Sequence, residues 1–189
     1  MDINAVLNDA LKVLKEGGVI LYPTDTVWGI GCDATNEKAV AKVFALKRRS
    51  GAKSLVLLAS DLDMVCRFVK QIPPMAIDLV EVNDSPMTLI YPGATGLAPS
   101  TIAEDGSVGI RIPLNDFCVQ MVRRFGKPVV STSANVSGDP APKCFSEISE
   151  VIRDGVDHIV EPSLERDSTG KPSQIISISL DGEVKVIRP

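Results

Sequence analysis

The loop after the first predicted strand contains residues whose types suit the binding of an anion. Residues 19–22 form an apolar run that Pro23 ends, because proline cannot donate a hydrogen bond to a sheet ladder. The loop then supplies hydroxyl, carboxyl and glycine residues, namely Thr24, Asp25, Thr26, Gly29 and Gly31. A strand that delivers small polar side chains to a loop, with clustered cations downstream, predicts a pocket for a small anionic ligand.

The cations lie in segment 47–53, at the end of a predicted helix. Lysine and arginine at a helix C-terminus are often a solvated surface that complements the helix dipole. The hydroxyl loop upstream and the strand that follows favour a site at the sheet edge instead, where α/β proteins bind ligands. Lys47, Arg49 and Lys53 could there neutralise a triphosphate, arginine through paired hydrogen bonds and lysine as a point charge.

A second polar segment follows the strand predicted at 128–131. Hydroxyl and amide side chains crowd it, at Ser131, Thr132, Ser133, Asn135 and Ser137. Hydroxyls and free backbone amides at a strand end can bind carboxylates or phosphates without adding charge. A Ser/Thr turn that hydrogen-bonds only to itself is the alternative interpretation.

Arg111 stands in a strand predicted at 107–112, whose other face is apolar. Because burial of an unpaired charge is very costly, its guanidinium group must have a partner. That partner is either a structural carboxylate or the carboxylate of a ligand. Ser173 and Arg188, near the C-terminal strands, are weaker candidates by themselves.

Several other kinds of site are disfavoured. Gly29-x-Gly31-x-x-Ala34 is similar to a dinucleotide fingerprint, but a loop separates it from the strand and no suitably placed acidic residue follows. The phosphate-loop and G-x-S-x-G motifs are absent. The four cysteines and one histidine lack zinc-ligand spacing, so we predict no metal site. A Cys32–His158 nucleophilic pair is conceivable, although free cysteine is more often a small core residue.

The elements that must position these residues alternate between helix and strand. Helices are predicted over 3–16, 36–46, 61–68, 75–82, 115–126 and 145–152, and strands over 19–22, 54–59, 87–91, 107–112, 128–131, 158–160, 174–178 and 184–187. The last two strands flank Asp181-Gly182, a hairpin turn, so we expect an α/β fold with a mixed sheet. No repeat or long linker divides residues 1–189, which predicts one domain.

The composition is that of an ordinary globular protein, with 44% apolar and 23% charged residues. A net charge of −4 suits a small phosphate-bearing substrate better than a long nucleic-acid track. No stretch approaches the about 20 apolar residues of a membrane span, and no signal-peptide pattern is present. We therefore expect a cytoplasmic protein.

Taken together, four motifs resemble the YrdC family of L-threonylcarbamoyladenylate synthases. The order and spacing match over nearly the whole chain, and the chain is similar to the short form, without a second C-terminal domain. The motifs are Tyr22-Pro23-Thr24-Asp25-Thr26-x-x-Gly29-x-Gly31-x-Asp33-Ala34, Lys47-x-Arg49, Ser107-Val108-x-x-Arg111-x-Pro113 and Ser131-Thr132-Ser133-Ala134-Asn135-x-Ser137-Gly138.

The resemblance implies a twisted mixed parallel/antiparallel sheet with flanking helices around a deep basic cavity. It implies a reaction that joins L-threonine, bicarbonate and ATP into L-threonylcarbamoyl-AMP, releases pyrophosphate, and uses Mg²⁺ with the ATP. The product would feed the threonylcarbamoyl modification of adenosine in certain tRNAs. Candidate partners are therefore tRNA or tRNA-modification proteins, and not a membrane.

Residue roles carry over position by position. The family's catalytic K-x-R signature falls on Lys47 and Arg49, and Asn135 completes its S-x-N signature. The L-threonine-binding positions are Thr26, Arg111, Ser131 and Ser173. The ATP-binding positions are Arg49, Lys53, Ser107, Ser133, Asn135, Ala141 and Arg188.

The chemistry of the residues agrees with these implied roles. We expect Arg111 to hold the threonine carboxylate and Lys47, Arg49 and Lys53 to bind the phosphates, so that positioning and electrostatics suffice without a covalent intermediate. The chain departs from the family at Ser50 and Ser54, where proline is usual, and at Gln174. The alternative function is that of an RNA-binding YrdC-like protein without synthase activity.

Overall fold

The computed structural model describes residues 1–49, 55–166 and 168–189. Within those ranges no helix is both long enough and apolar enough to cross a membrane. Six α-helices are found in this part of the chain: α1 (Ile3–Lys15), α2 (Glu37–Leu46), α3 (Leu62–Phe68), α4 (Pro74–Val82), α5 (Asp116–Phe125) and α6 (Glu150–Asp154). Most of them begin and end where the sequence predicts.

The described strands form one mixed sheet in the order β7-β1-β2-β6-β3-β5-β4-β8-β9. β1 pairs with β7, β3 with β5 and β4 with β8 in parallel, and the other neighbours are antiparallel. The prediction of a mixed sheet that ends in a hairpin is confirmed. The strands are β1 (Ile20–Tyr22), β2 (Gly29–Gly31), β3 (Val56–Leu58), β4 (Met87–Tyr91), β5 (Val108–Arg111), β6 (Val129–Ser133), β7 (His158–Ile159), β8 (Gln174–Ile178) and β9 (Val184–Arg188).

Local capping explains the helix boundaries. The side chains of Asn36, Asp61 and Asn115 each accept a hydrogen bond from a backbone N–H in the first turn of α2, α3 and α5. Gly126 ends α5 in the left-handed conformation, with φ of 80°. These residue types favour the same positions in any fold, which is why sequence alone locates them.

The strand β2 was not predicted, because its sequence Gly29-Ile30-Gly31 has weak strand propensity. It lies between β1 and β6, and Gly31 is required there. A β-carbon at Gly31 would lie 2.6 Å from the Tyr22 ring and 2.7 Å from the carbonyl oxygen of Val130. Close packing against the neighbouring strands therefore requires glycine in β2, although the low strand propensity of glycine argues against a strand there.

Two other boundaries differ from the predictions. β6 continues to Ser133, because its hydroxyl-rich half pairs with β2, and the strand prediction ended too early. The predicted helix over 145–152 is a 3₁₀ turn at Phe145–Glu147 followed by α6. Ile148 is extended between them, which buries both Ile148 and Ile152. The strand predicted from residue 54 is observed from Val56, and residue 54 lies outside the described residues.

Candidate functional site

A cavity of about 320 Å³ is lined by residues of β2, β3, β5, β6, β8 and β9 and of the loops between them. Three arginines and several hydroxyls line it, and none of its described lining residues is acidic. The lining residues are Thr26, Val27, Trp28, Gly29, Arg49, Val56, Arg111, Ser131, Thr132, Ser133, Ala141, Pro172, Ser173, Ile175 and Arg188. The sheet register explains part of this set, because β2 pairs Gly29 with Ser133 and so brings two separate motifs together.

One end of the cavity is built by the loop between β1 and β2. Thr24 Oγ1 donates to the carbonyl of Val27 at 2.7 Å, accepts from the backbone N–H of Thr26 at 3.0 Å, and lies 2.9 Å from Thr26 Oγ1. The backbone N–H of Gly170 donates to the carbonyl of Thr26 at 2.8 Å. Both the backbone and the hydroxyl of Thr26 are therefore held in place.

Arg111 has a structural carboxylate partner and also lines the cavity. Its Nη1 donates to Asp25 Oδ1 at 2.5 Å, and the two side chains are only 3% and 8% exposed. Asp25 Oδ2 accepts from the backbone N–H of Leu114 at 3.2 Å, while Arg111 Nη2 donates to Thr26 Oγ1 at 3.4 Å. The sequence left open whether Arg111 pairs with a structural carboxylate or with that of a ligand. Asp25 is the structural partner, and because Arg111 also lines the cavity, it can contact a ligand carboxylate as well.

Lys47 does not belong to the described lining of the cavity. Its ammonium group donates to the backbone carbonyls of Ser133 and Asn135, the second at 2.6 Å, and its own carbonyl accepts from the N–H of Ser137 at 2.8 Å. Burial, and then the nearby Arg49 charge, lower the pKa of Lys47 to about 8. Lys47 therefore holds the polar segment after β6 against the end of α2.

Arg49 and Arg188 bring charge to the cavity from distant parts of the chain. Arg49 Nη1 lies 3.5 Å from Thr132 Oγ1, and Arg188 donates to the carbonyl of Ser173 from Nε at 2.9 Å and from Nη2 at 2.7 Å. Burial lowers the pKa of both guanidinium groups. An anionic ligand in the cavity would add further favourable contacts to both partly buried cations.

Arg48, between Lys47 and Arg49, has φ of 50°. It is the only residue other than glycine in the described part of the chain with a positive φ. Because this conformation ends the helical course of α2, the chain turns between the two residues of the K-x-R signature. The strained residue is thus located between two candidate site residues.

Some predicted residues lie elsewhere. Ser107 borders a separate cavity of about 100 Å³, which shares Val56 and Ile175 with the first. Asn135 is not part of the described lining, and its Nδ2 donates to the carbonyls of Val136 and Asp139 at 3.0 and 2.8 Å. Lys53 lies outside the described residues. The structure thus groups Thr26, Arg49, Arg111, Ser131, Ser133, Ala141, Ser173 and Arg188 around one cavity.

Sequence reasoning assigned no individual role to two residues of this region. Trp28 lines the cavity, and its ring centre lies 5.0 Å from that of Phe145. The sequence signal that could have identified Trp28 as a lining residue is an aromatic side chain within an otherwise polar loop. Thr24 is fully enclosed behind Thr26, and its spacing of two residues from Thr26 is typical of a Ser/Thr turn.

The Cys32–His158 pair has no support in the structure. Cys32 is buried in the core, and its Sγ lies 3.8 Å from the carbonyl of Asp33. Burial, and then the Asp33 charge, raise the pKa of Cys32 to about 12, the reverse of what a reactive thiol requires. Among the described residues no group of three or more His, Cys, Asp and Glu side chains is placed to hold a metal ion.

Comparison with known proteins places the chain in a family. Residues 12–189 match the Sua5/YciO/YrdC family model, described as telomere recombination. A threonylcarbamoyl-AMP synthase of Hahella chejuensis is 32% identical over 170 residues, which cover 89% of this chain and 91% of the relative. One from Coxiella burnetii is 32% identical over 184 residues, 97% of each protein. The chain therefore belongs to the Sua5/YciO/YrdC family.

The fold agrees with this assignment. Sua5 of P. abyssi, solved in complex with L-threonine, superposes with a TM-score of 0.86 at 23% identity. The match covers 100% of this chain and 55% of the Sua5 chain, so this chain spans about half of that protein. The YrdC-like mixed sheet with flanking helices is confirmed, whereas the depth of the basic cavity stays a prediction.

Proposed function

We propose that the protein is an L-threonylcarbamoyl-AMP synthase, a nucleotidyltransferase that uses L-threonine, bicarbonate and ATP. The observation that carries the proposal is the convergence of Arg49, Arg111 and Arg188 with the hydroxyls of three motifs around one cavity. Relatives with that name, about a third identical over nearly the whole chain, support this reaction over the alternative of an RNA-binding protein without activity.

The amino-acid end of the proposed site contains Thr26, Arg111, Ser131 and Ser173. Arg111 would hold the threonine carboxylate with the donors that face the cavity, since Asp25 already occupies its Nη1. The hydroxyl of Thr26, in the loop between β1 and β2, and that of Ser131, in β6, would orient the rest of the amino acid. P. abyssi Sua5, which shares the fold, was solved in complex with L-threonine, and this supports L-threonine as the substrate.

The nucleotide end would contain the remaining cations. Arg49 and Arg188 would bind phosphate oxygens, with Ser133 and Ala141 beside the nucleotide. Lys47 would act chiefly by fixing the carbonyls of Ser133 and Asn135, and Lys53 and Ser107 would make further nucleotide contacts. These residues would stabilise the negative charge that builds up on the leaving pyrophosphate.

The reaction needs positioning more than acid–base chemistry. After the ammonium group of threonine loses a proton, its nitrogen attacks the carbon of bicarbonate, and a carbamate forms with loss of water. A carbamate oxygen then attacks the α-phosphorus of ATP, and the bond to the β-phosphate oxygen breaks, so that its electron pair leaves with pyrophosphate. Held close together by the cavity, the reactants gain the rate advantage of an intramolecular reaction.

Mg²⁺ is proposed to arrive with ATP. The carboxylate of Asp25, next to the cavity-lining Arg111, is already engaged by Arg111 and the backbone N–H of Leu114. The hydroxyls of Ser131 and Ser133 are the donors that fit, and the ion's other ligands would be phosphate oxygens and water. When bound, the ion would neutralise phosphate charge. We further propose that the protein acts in the cytoplasm, and that its product is passed to the threonylcarbamoyl modification of tRNA.

Release of pyrophosphate tests the function. We expect release only when ATP, L-threonine and bicarbonate are all present, and little with any one omitted. Arg49→Ala should reduce the rate at least about a hundredfold, which corresponds to the loss of a charged transition-state contact. Arg67→Ala, which removes a guanidinium group stacked on Phe68 outside the cavity, is the matched control. Bicarbonate-independent release, or equal rates in both variants, would refute the proposal.

A further inference from the structure

We propose that Thr24 is a positioning residue that orients the hydroxyl group of Thr26, so that Thr26 presents a hydrogen-bond acceptor to the α-amino group of the substrate. This inference rests on the proposed function and adds to it a residue outside the cavity lining. It follows from counting hydrogens and lone pairs in a buried pair of hydroxyls. Thr24 and Thr26 are 2% and 5% exposed.

The hydroxyl of Thr24 has one hydrogen and two lone pairs. Its hydrogen points to the carbonyl of Val27 at 2.7 Å, because a carbonyl oxygen can only accept. One lone pair accepts from the backbone N–H of Thr26 at 3.0 Å. The contact of 2.9 Å between the two hydroxyl oxygens must then use the hydrogen of Thr26 and the second lone pair of Thr24.

This assignment leaves Thr26 Oγ1 with two lone pairs and no hydrogen to offer. Arg111 Nη2, which can only donate, lies 3.4 Å from Thr26 Oγ1 and agrees with that orientation. One lone pair remains, and Thr26 lines the cavity. A ligand that contacts this oxygen must therefore bring an N–H or O–H donor, and a carboxylate or phosphate oxygen would be repelled.

The amino group is the donor that fits this position. If Arg111 holds the carboxylate of the substrate, the α-carbon and its amino group lie next to Arg111, and the β-hydroxyl of threonine lies one bond further away. Thr26 is the neighbour of Arg111, so it is closer to the amino group than to the β-hydroxyl. The acceptor also carries no net charge, and Asp25 already has both oxygens engaged. The protonated amine cannot attack bicarbonate, and an uncharged acceptor orients the amine while stabilising that protonated form less than a carboxylate would.

Thr24→Val tests the inference, because it removes the oxygen and keeps the shape of the side chain. The backbone of the loop should stay in place, since the N–H groups of Thr169 and Gly170 still donate to the carbonyls of Asp25 and Thr26. Thr24→Ser should restore the hydroxyl and the wild-type behaviour. Thr101→Val is the matched control, because Thr101 is fully buried, donates to the carbonyl of Ala98 at 2.7 Å and does not line the cavity.

Binding is measured by calorimetry and by the fluorescence of Trp28, which is the single tryptophan and lines the cavity. Three probes are compared: L-threonine, L-α-aminobutyrate without the hydroxyl, and β-hydroxybutyrate without the amine. We expect Thr24→Val to weaken the two amines about tenfold, the value of one hydrogen bond, and to leave β-hydroxybutyrate and ATP unchanged.

The possible outcomes separate the two proposals. Failure of the wild type to bind L-threonine would refute the proposed function itself. If the wild type binds L-threonine normally but Thr24→Val weakens all three probes equally, only the role of Thr24 is overturned. The same conclusion follows if Thr101→Val weakens binding as much as Thr24→Val does. Selective weakening of β-hydroxybutyrate would overturn the assignment to the amine. If Thr24→Val does not fold, Thr26→Val must show the same selective loss of the amines.

Discussion

The ion pair of Asp25 and Arg111 allows a stability prediction with an internal control. Replacing Asp25 by asparagine preserves the size of the side chain and an acceptor for the backbone N–H of Leu114. It removes the negative charge that faces the guanidinium group of Arg111. Because Arg111 is only 3% exposed, its charge cannot turn into water to recover solvation.

The expected loss follows from this burial. Removing one partner of a buried ion pair costs about 3–5 kcal/mol, since it leaves an uncompensated charge. Asp33→Asn is the matched control, because Asp33 is also 8% exposed and pairs with Lys127 at 2.9 Å. Lys127 is 49% exposed, so its ammonium group can move into solvent. We therefore expect Asp33→Asn to cost only about 1 kcal/mol.

Urea denaturation, followed by circular dichroism, measures both variants. Asp25→Asn combined with Arg111→Met removes both charges and should be at least about 2 kcal/mol more stable than Asp25→Asn alone. Asp25→Asn should also weaken L-threonine binding, because it releases the guanidinium group from its fixed orientation. Equal losses of stability in the Asp25 and Asp33 variants, or no recovery in the double variant, would show that Asp25 does not compensate a buried charge.

Three further predictions concern the backbone and the pH dependence of stability. Arg48→Gly should be about 1 kcal/mol more stable to urea than Arg48→Ala, because both remove the guanidinium group and only glycine relieves the positive φ. Gly31→Ala should lower the free energy of unfolding by at least about 2 kcal/mol in the same assay. Gly109→Ala is the control and should lower it by less than about 1 kcal/mol, because its β-carbon would meet only Thr88 Cγ2 at 3.4 Å. Between pH 8 and about 10.5 the unfolded chain retains the Lys47 proton that the folded protein has lost. The free energy of unfolding of the wild type, relative to that of Lys47→Met, should therefore rise with pH across that window. Urea titrations measure it, and a fall with pH would contradict the lowered pKa of Lys47.

Sequence patterns predicted the elements whose signals are local. The caps at Asn36, Asp61 and Asn115 act within a few residues, and the hairpin turn at Asp181-Gly182 does the same. β2 could not be predicted in this way. Its glycines are explained by the ring of Tyr22 and a carbonyl of β6, and β6 comes from a segment about 100 residues further along the chain.

For the candidate site as well, sequence predicted the features that depend on residue type and motif order, but not those that depend on tertiary contacts. Residue types and motif order predicted that Thr26, Arg111, Ser131 and Ser133 belong together, and the structure places them around one cavity. The position of the Lys47 ammonium group could not be predicted, because its partners are backbone carbonyls rather than side chains. The pairing of Arg111 with Asp25 was likewise hidden, since it joins two motifs through the tertiary fold.

The arginines around the cavity differ in how their charge is balanced, and under the proposed function this difference matches the two substrates. At Arg111, which is proposed to bind the amino acid, Asp25 balances the guanidinium charge before any ligand binds, so the local charge is close to zero. A free amino acid at neutral pH is a zwitterion, and hydrogen-bond geometry rather than net charge can select it there. Arg188, which is proposed to bind the nucleotide, forms no salt bridge within the described residues and donates to the carbonyl of Ser173. A cation whose neighbours are neutral dipoles retains its full attraction for an anion, as a triphosphate requires. The arrangement therefore predicts that salt weakens ATP binding more strongly than L-threonine binding, and calorimetric titrations at low and high salt would contradict it if both affinities fell in parallel.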